Sequence, residues 1–282
     1  MKVLILGLGF TGTRLGRWLV ERDYQVVGTC RSGAAPPGLP IPIVKFNSQD
    51  NVKYGSSFWE PFFDVTHVVS TIAPGKDGTD PAWMLLDQHP HPQALTWTGY
   101  LSTTGVYGDT GGAWVDELSP TNPGSMRSRN RVQIENCWLS SGYPVHIFRL
   151  PGIYGPSRSV FERLRSGKAR QIVKPGHVFS RVHVDDIVQT VGQSMLNPCS
   201  GAIYNVVDDE PSEPRELLIE AAALIGIEPP PPTPFAQVQL SPMARSFWAE
   251  CRRVSNQKIK SKLGIRLLYP SYREGLRAIL NT

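Results

Sequence analysis

The chain opens on Val3 to Leu6 after Lys2, runs straight into Gly7-Leu8-Gly9-Phe10-Thr11-Gly12, and continues with Leu15, Trp18, Leu19 and Val20 at helical spacing. An apolar strand, a glycine turn and a helix in that order predict the first unit of a dinucleotide-binding sheet. Gly7 suits the tight turn, Gly9 leaves room for a pyrophosphate near the backbone, and Gly12 lets the helix pack on the strand. Phe10 and Thr11 then stand at the head of the helix, where free N–H groups and the dipole favour an anion. Glycines at this spacing also mark ordinary turns, so it is the flanking strand and helix that give the motif its weight.

Strand patterns recur at 2–6, 25–29, 41–46, 67–72, 96–102 and 145–150, and helical patterns at 11–22, 81–88 and 126–140. This alternation predicts an α/β fold, a Rossmann-like doubly wound parallel sheet. Breaker-rich tracts at 33–42, 74–80 and 89–92 read as loops. Beyond residue 150 the pattern is less regular, and the proline-rich 229–234 separates helical stretches at 213–225 and 258–263. Residues 1–150 are therefore expected to form the nucleotide domain, and 151–282 mainly a smaller C-terminal substrate lobe, with some segments returning to the sheet.

Four cysteines without a CxxC pair give no zinc or disulfide framework, and no metal site is expected. Gly7, Gly9 and Arg14 interrupt the apolar start, so it is not read as a secretory segment; with no membrane span in the pattern, a cytoplasmic protein is expected. The net charge of +5 is spread over basic runs mixed with glutamates and apolar residues. These read as solvated helix faces rather than a nucleic-acid surface, because no nucleic-acid motif accompanies them. The partner expected is a small molecule, anionic substrates included; the oligomeric state stays open, a homodimer among the options.

Where NAD sites carry an acid at the end of the second strand, this chain has Gly28-Thr29-Cys30-Arg31-Ser32. Arg31 can fork a 2′-phosphate with Ser32 as a short donor, so NADP is favoured over NAD. A solvated loop cation is the alternative. Asn47 and Asp50, past the third strand, are placed near the adenine, and Thr71, Ile72 and Ala73 join the cofactor set at the end of the fourth.

Longer strings carry a resemblance. Tyr100-Leu-Ser-Thr-Thr-Gly-Val-Tyr-Gly-Asp109, Arg149-Leu-Pro-Gly-Ile-Tyr-Gly-Pro-Ser-Arg158, Arg181-Val-His-Val-Asp-Asp-Ile187, Ile203-Tyr-Asn-Val-Val-Asp-Asp-Glu-Pro211 and the tail from Leu263 to Leu276 follow in order across nearly the whole chain. They resemble the extended short-chain dehydrogenase/reductases, the NAD-dependent epimerase/dehydratase-like proteins, and in length the atypical branch of that group. The resemblance implies a nicotinamide near the end of the fifth strand and a small lobe closing over a substrate. It also implies a hydroxyl at Thr103 and, downstream, a Tyr and a Lys four residues apart, the Lys lowering the phenol's pKa.

That pair is missing. Taking Glu135 as the family's glutamate puts Arg127 and Arg131 at the Tyr and Lys positions, and no Tyr lies between Tyr107 and Tyr143 nor any Lys between Lys76 and Lys168. An arginine can orient an anion but hardly exchanges a proton at neutral pH; Arg131 can still bond the ribose. The chemistry is then lost, supplied with a proton from elsewhere, or different. Candidate acids are Thr103 with a water, Tyr100, Tyr107 and Tyr154, with Asp116 and Glu117 behind them. Tyr107, Arg149, Tyr154, Arg158 and Arg181 are the expected substrate contacts, surface pairing with glutamates being the alternative for the arginines. Thr104-Gly105 replaces the acidic pair of sugar dehydratases, which argues against dehydration. His183 with Asp185 and Asp186 reads as a structural turn. The leading expectation is an NADP(H)-binding oxidoreductase on a small carbonyl or hydroxyl substrate; the alternatives are a non-catalytic cofactor-binding regulator or scaffold and, further behind, a nucleotide-sugar epimerase.

Overall fold

The computed structural model describes residues 1–47, 56–88 and 94–281, so Asp50 and the loop at 89–92 lie outside the described residues. The strands are β1 (Lys2–Leu6), β2 (Gln25–Cys30), β3 (Ile43–Lys45), β4 (His67–Ser70), β5 (Trp97–Thr103), β6 (Trp114–Val115), β7 (Val145–Leu150), β8 (Gly152–Tyr154), β9 (Gln171–Val173), β10 (Arg181–His183), β11 (Ile203–Asn205), β12 (Pro232–Pro234) and β13 (Arg253–Val254). The helices are α1 (Phe10–Val20), α2 (Ser56–Trp59), α3 (Pro81–Leu86), α4 (Met126–Leu139), α5 (Phe161–Arg165), α6 (Val184–Leu196), α7 (Pro214–Leu224), α8 (Pro242–Trp248), α9 (Gln257–Leu263) and α10 (Tyr272–Leu280).

Two compact units emerge. The first comprises Met1–Ser102, Arg129–Arg149 and Val188–Tyr204; the second comprises Thr103–Ser128, Leu150–Ile187 and Asn205–Thr282. The first carries a seven-stranded sheet in the order β11-β7-β5-β4-β1-β2-β3, with parallel pairing from β5 through β4, β1 and β2 to β3. This is the doubly wound architecture expected from the strand–helix alternation. Strands β1, β4 and β7 are almost wholly buried because helices cover both faces. Helix α1 buries Leu15 and Leu19 on the sheet, while Trp18 occupies the space a Cβ on Gly192 of α6 would need.

Several boundaries differ from the sequence reading. Strand β4 ends at Ser70, and Thr71 ties the chain beyond it to the first strand and the glycine turn, its N–H donating to Leu6 O and its hydroxyl to Gly7 O. Residues 183–186 are not a turn: His183 ends β10 and Asp185 and Asp186 fill the first turn of α6, where carboxylates favour a helix N-terminus. Within the proline-rich segment β12 pairs in parallel with β9 in a two-stranded ribbon, where proline is tolerated at an edge. In the second unit a separate core forms from Tyr154, Phe161, Leu164, Leu218, Tyr272 and Leu276. Among the described residues no helix is long and apolar enough to cross a membrane.

Candidate functional site

The glycine turn forms a cradle built by backbone constraint. Gly7 sits at φ +97°, where a Cβ would meet Ile72 Cγ1 at 2.8 Å and Thr71 Oγ1 at 2.9 Å. Its N–H donates to Thr29 Oγ1 at 3.0 Å, and Thr71 Oγ1 donates to its carbonyl at 2.5 Å. A Cβ on Gly12 would stand 2.1 Å from Gly7 O, so the helix packs there only because the side chain is absent. Gly9 is different: it is exposed, and nothing lies within 4 Å of where its Cβ would be. It is also the N-cap of α1, with no side-chain cap and no acid in the first turn, so the leading N–H groups keep their capacity for an anion. These residues fit a dinucleotide pyrophosphate.

Around the cradle, Phe10 is partly exposed and Thr11 buried; Ala73 is exposed, and Asn47 is half-buried beyond β3. Arg31 and Ser32 are exposed at the end of β2, with Ser32 Oγ accepting from Ala34 N. Thr29 and Thr71, whose hydroxyls hold Gly7, work one step behind the cofactor space. Thr29 escaped the sequence reading because a strand threonine gives no outward signal.

Also in the first unit, Arg131 is buried, and its Nη1 donates to Tyr100 OH at 2.9 Å and Leu101 O at 2.8 Å. Tyr100 is wholly buried and stacked on Trp138. Burial pushes its phenol far up, Arg131 offsets this only in part, and the hydroxyl is closed off from solvent. Arg149 corrects an expectation. It is not at a substrate opening but 4% exposed, with Nη2 2.7 Å from Glu135 Oε2. Ser102 Oγ donates to Glu135 Oε1 at 2.5 Å, closing a buried network between β5, α4 and β7.

In the second unit, Thr103 Oγ1 accepts from Gly105 N at 3.1 Å. A Cβ on Gly105 would lie 2.9 Å from Ser128 Oγ and 3.3 Å from Thr103 Oγ1, so two hydroxyls stand where a side chain would be. Ser128, unmarked in the sequence, is fixed by Ser125, which donates to Ser128 Oγ and accepts from its N–H. Arg127 is exposed with its guanidinium over Phe247. Tyr107 is a second correction: it is 1% exposed and donates to Asn205 Oδ1 at 2.8 Å, a framework contact rather than a substrate contact. Glu117 accepts from Asn205 N, and burial raises its carboxyl pKa. Asp116 is held below the usual carboxylate range by Ser119.

Tyr154, Arg158 and Arg181 do meet, lining a cavity of about 400 Å³ together with Leu217 and Leu276. Burial, then Asp208 and Asp186, raises the Tyr154 phenol, whose OH donates to Ser271 O. His183 packs against Tyr154 and Tyr269, and Asp186 accepts from Leu268 and Tyr269 N–H groups, so this cluster ties down the tail. No group of three or more His, Cys, Asp or Glu among the described residues could hold a metal.

No family model matches the chain. A conserved Silicibacter pomeroyi protein of unknown function superposes over 99% of this chain and 98% of its own, at 40% identity and a TM-score of 0.89. A Bacillus anthracis dTDP-glucose 4,6-dehydratase in complex with NAD superposes over 100% of this chain and 96% of its own, at 18% identity and a TM-score of 0.79. The chain belongs to the same family as the Silicibacter protein, on an epimerase/dehydratase-like short-chain dehydrogenase/reductase fold. Protein YeeZ of Escherichia coli K12 is 29% identical over 245 residues, 81% of this chain and 85% of its own. Within this short-chain dehydrogenase/reductase fold, the cradle occupies the first strand–helix turn, as the sequence motif predicts.

Proposed function

We propose that the protein binds NADP(H) and acts as an oxidoreductase on a small carbonyl or hydroxyl substrate without the family's Tyr–Lys pair. The observation that carries this reading is the open cradle at Gly9 over the uncapped start of α1. The NAD held by the structurally similar dehydratase supports a nicotinamide dinucleotide, and the exposed Arg31 at the end of β2 supports the 2′-phosphorylated form. When bound, the nicotinamide supplies or accepts the hydride. Of the chain's own residues, the α1 amides hold the pyrophosphate, Arg31 forks the 2′-phosphate, and Arg131, fixed by Tyr100 and Leu101, presents a permanent positive charge. Thr103 with a water handles the proton, since both arginines stay charged and Tyr100 and Tyr107 are buried.

A second reading is a cofactor-binding regulator without turnover. It is favoured by one observation: the two positions of the family pair hold an arginine tied to β5 and an arginine lying over Phe247. The deciding experiment is a parallel equilibrium titration with NADPH and NADH by cofactor fluorescence, followed by a carbonyl screen. Preferential NADPH binding with turnover is the expected result. Tight binding without turnover that alters oligomeric state favours the regulator, and no binding of either cofactor refutes both readings. Purification with oxidised cofactor and a nucleotide sugar would instead favour an epimerase.

A further inference from the structure

The cavity of the second unit is lined by apolar side chains, Leu217 and Leu276 among them, and by three arginines, Arg158, Arg163 and Arg181. The carboxylate in its lining, Glu162, accepts from Ser159 N and Oγ. Arg181 stands apart from the other two arginines, which are exposed: it is 9% exposed. Its Nη1 donates only to uncharged oxygens, Phe179 O, Ser212 O and Ser212 Oγ, and among the described residues no carboxylate forms an ion pair with it.

The neighbouring acid Asp208 is not paired with it. Asp208 is 3% exposed, its N–H donates to Arg181 O at 2.8 Å, and its carboxyl oxygens make no hydrogen bond to the guanidinium. Burial pushes this carboxyl well above its usual range toward the neutral form, against the pull of Arg181. A buried guanidinium whose Nη1 donates to uncharged oxygens, with no carboxylate paired to it among the described residues, is an unbalanced charge, and buried charges are ordinarily paired. The missing partner is an anion, for which the guanidinium fork is suited to a carboxylate or a phosphate.

We propose that this cavity is an anion site anchored by Arg181, with Arg158 at its rim, and that its ligand joins a carboxylate or phosphate to an apolar body lying on Leu217 and Leu276. The proposal rests on the oxidoreductase reading only where it names this ligand as the substrate.

The test is calorimetric titration and thermal denaturation of the full chain with sodium phosphate and with sodium benzoate, against sodium chloride at equal ionic strength. Saturable binding of at least one anion is expected. It should weaken more than tenfold in Arg181→Met and in Leu217→Trp, which fills the cavity without touching the Arg181 hydrogen bonds, and a few-fold in Arg158→Gln. Benzoate alone assigns a carboxylate, and phosphate alone a phosphate. Absence of saturable binding, or equal binding by wild type, Arg181→Met and Leu217→Trp, overturns the site. If Arg181→Met does not fold, Leu217→Trp decides. An NADPH titration on the same sample keeps the two ideas separate: anion binding without cofactor binding removes the oxidoreductase reading and leaves the anion site standing.

Discussion

Glu135→Gln asks whether Arg149 belongs to the framework or to a substrate path. In the wild-type protein the Glu135 carboxylate, 2% exposed, receives Arg149 Nε and Nη2 and Ser102 Oγ. Glutamine keeps the shape but removes the charge, and its amide turns a donor toward one of these donors. Removing one member of a buried ion pair leaves the other charge uncompensated and costs about 3–5 kcal/mol. For a protein of this size each kcal/mol moves Tm by about 2–4 °C, so a fall of roughly 6–20 °C is expected. Differential scanning fluorimetry and urea denaturation measure it, and a Glu135→Leu, Arg149→Met double variant should recover most of the loss because apolar replacements remove both charges together. A loss under about 2 °C, smaller than any buried pair would give, combined with a changed substrate KM, would return Arg149 to the substrate path and refute the reasoning.

Arg31→Ala should weaken NADPH by roughly 10–100-fold, the equivalent of about 1.5–3 kcal/mol for charge-assisted hydrogen bonds, while NADH changes little; equal losses in a fluorescence titration remove the 2′-phosphate assignment. The glycines separate by mechanism. Gly9→Val, with open space around its Cβ, should abolish cofactor binding at unchanged Tm, whereas Gly12→Val, 2.1 Å from Gly7 O at its Cβ, should lower Tm strongly; the reverse pattern contradicts the cradle. Acid sensitivity follows from His67 and His177, each buried and lowered from 6.5 to about 4, chiefly by desolvation. The unfolded chain binds protons there that the folded chain refuses, so stability is full above pH 6.5 and falls as pH drops toward 4, by up to about 3 kcal/mol per histidine. Urea midpoints that stay level between pH 7 and 5 at fixed ionic strength would show that these imidazoles are not held neutral.

Much of the first unit was legible because its signals are local. The cradle announces itself by the spacing of Gly7, Gly9 and Gly12 within six residues, although Thr29, Thr71 and Ile72 complete it, and the sheet announces itself by apolar runs that need no partner to be recognised. Helix α6 was missed although its signal was present: Asp185 and Asp186 precede Ile187, Val188, Val191 and Met195, all four buried, at helical spacing. Roles set by distant partners were not legible at all. Tyr107 is a framework residue because Asn205 stands opposite its hydroxyl, 98 positions along the chain.

The arginines make the point most sharply, since Arg149 and Arg181 open two family strings in the same way and sequence gives no reason to separate them. What separates them is the acid each meets. Glu135 faces Arg149 as a hydrogen-bonded carboxylate, so that guanidinium already has its partner. The Asp208 carboxyl makes no hydrogen bond to the Arg181 guanidinium, which is left without a carboxylate partner and open to a ligand. It follows that equal methionine substitutions should have unequal signatures: Arg149→Met should move Tm and leave anion affinity in place, whereas Arg181→Met should move anion affinity first. Calorimetry and fluorimetry on the two variants read both quantities, and matching profiles would mean that the neighbouring acid does not set an arginine's role in this fold.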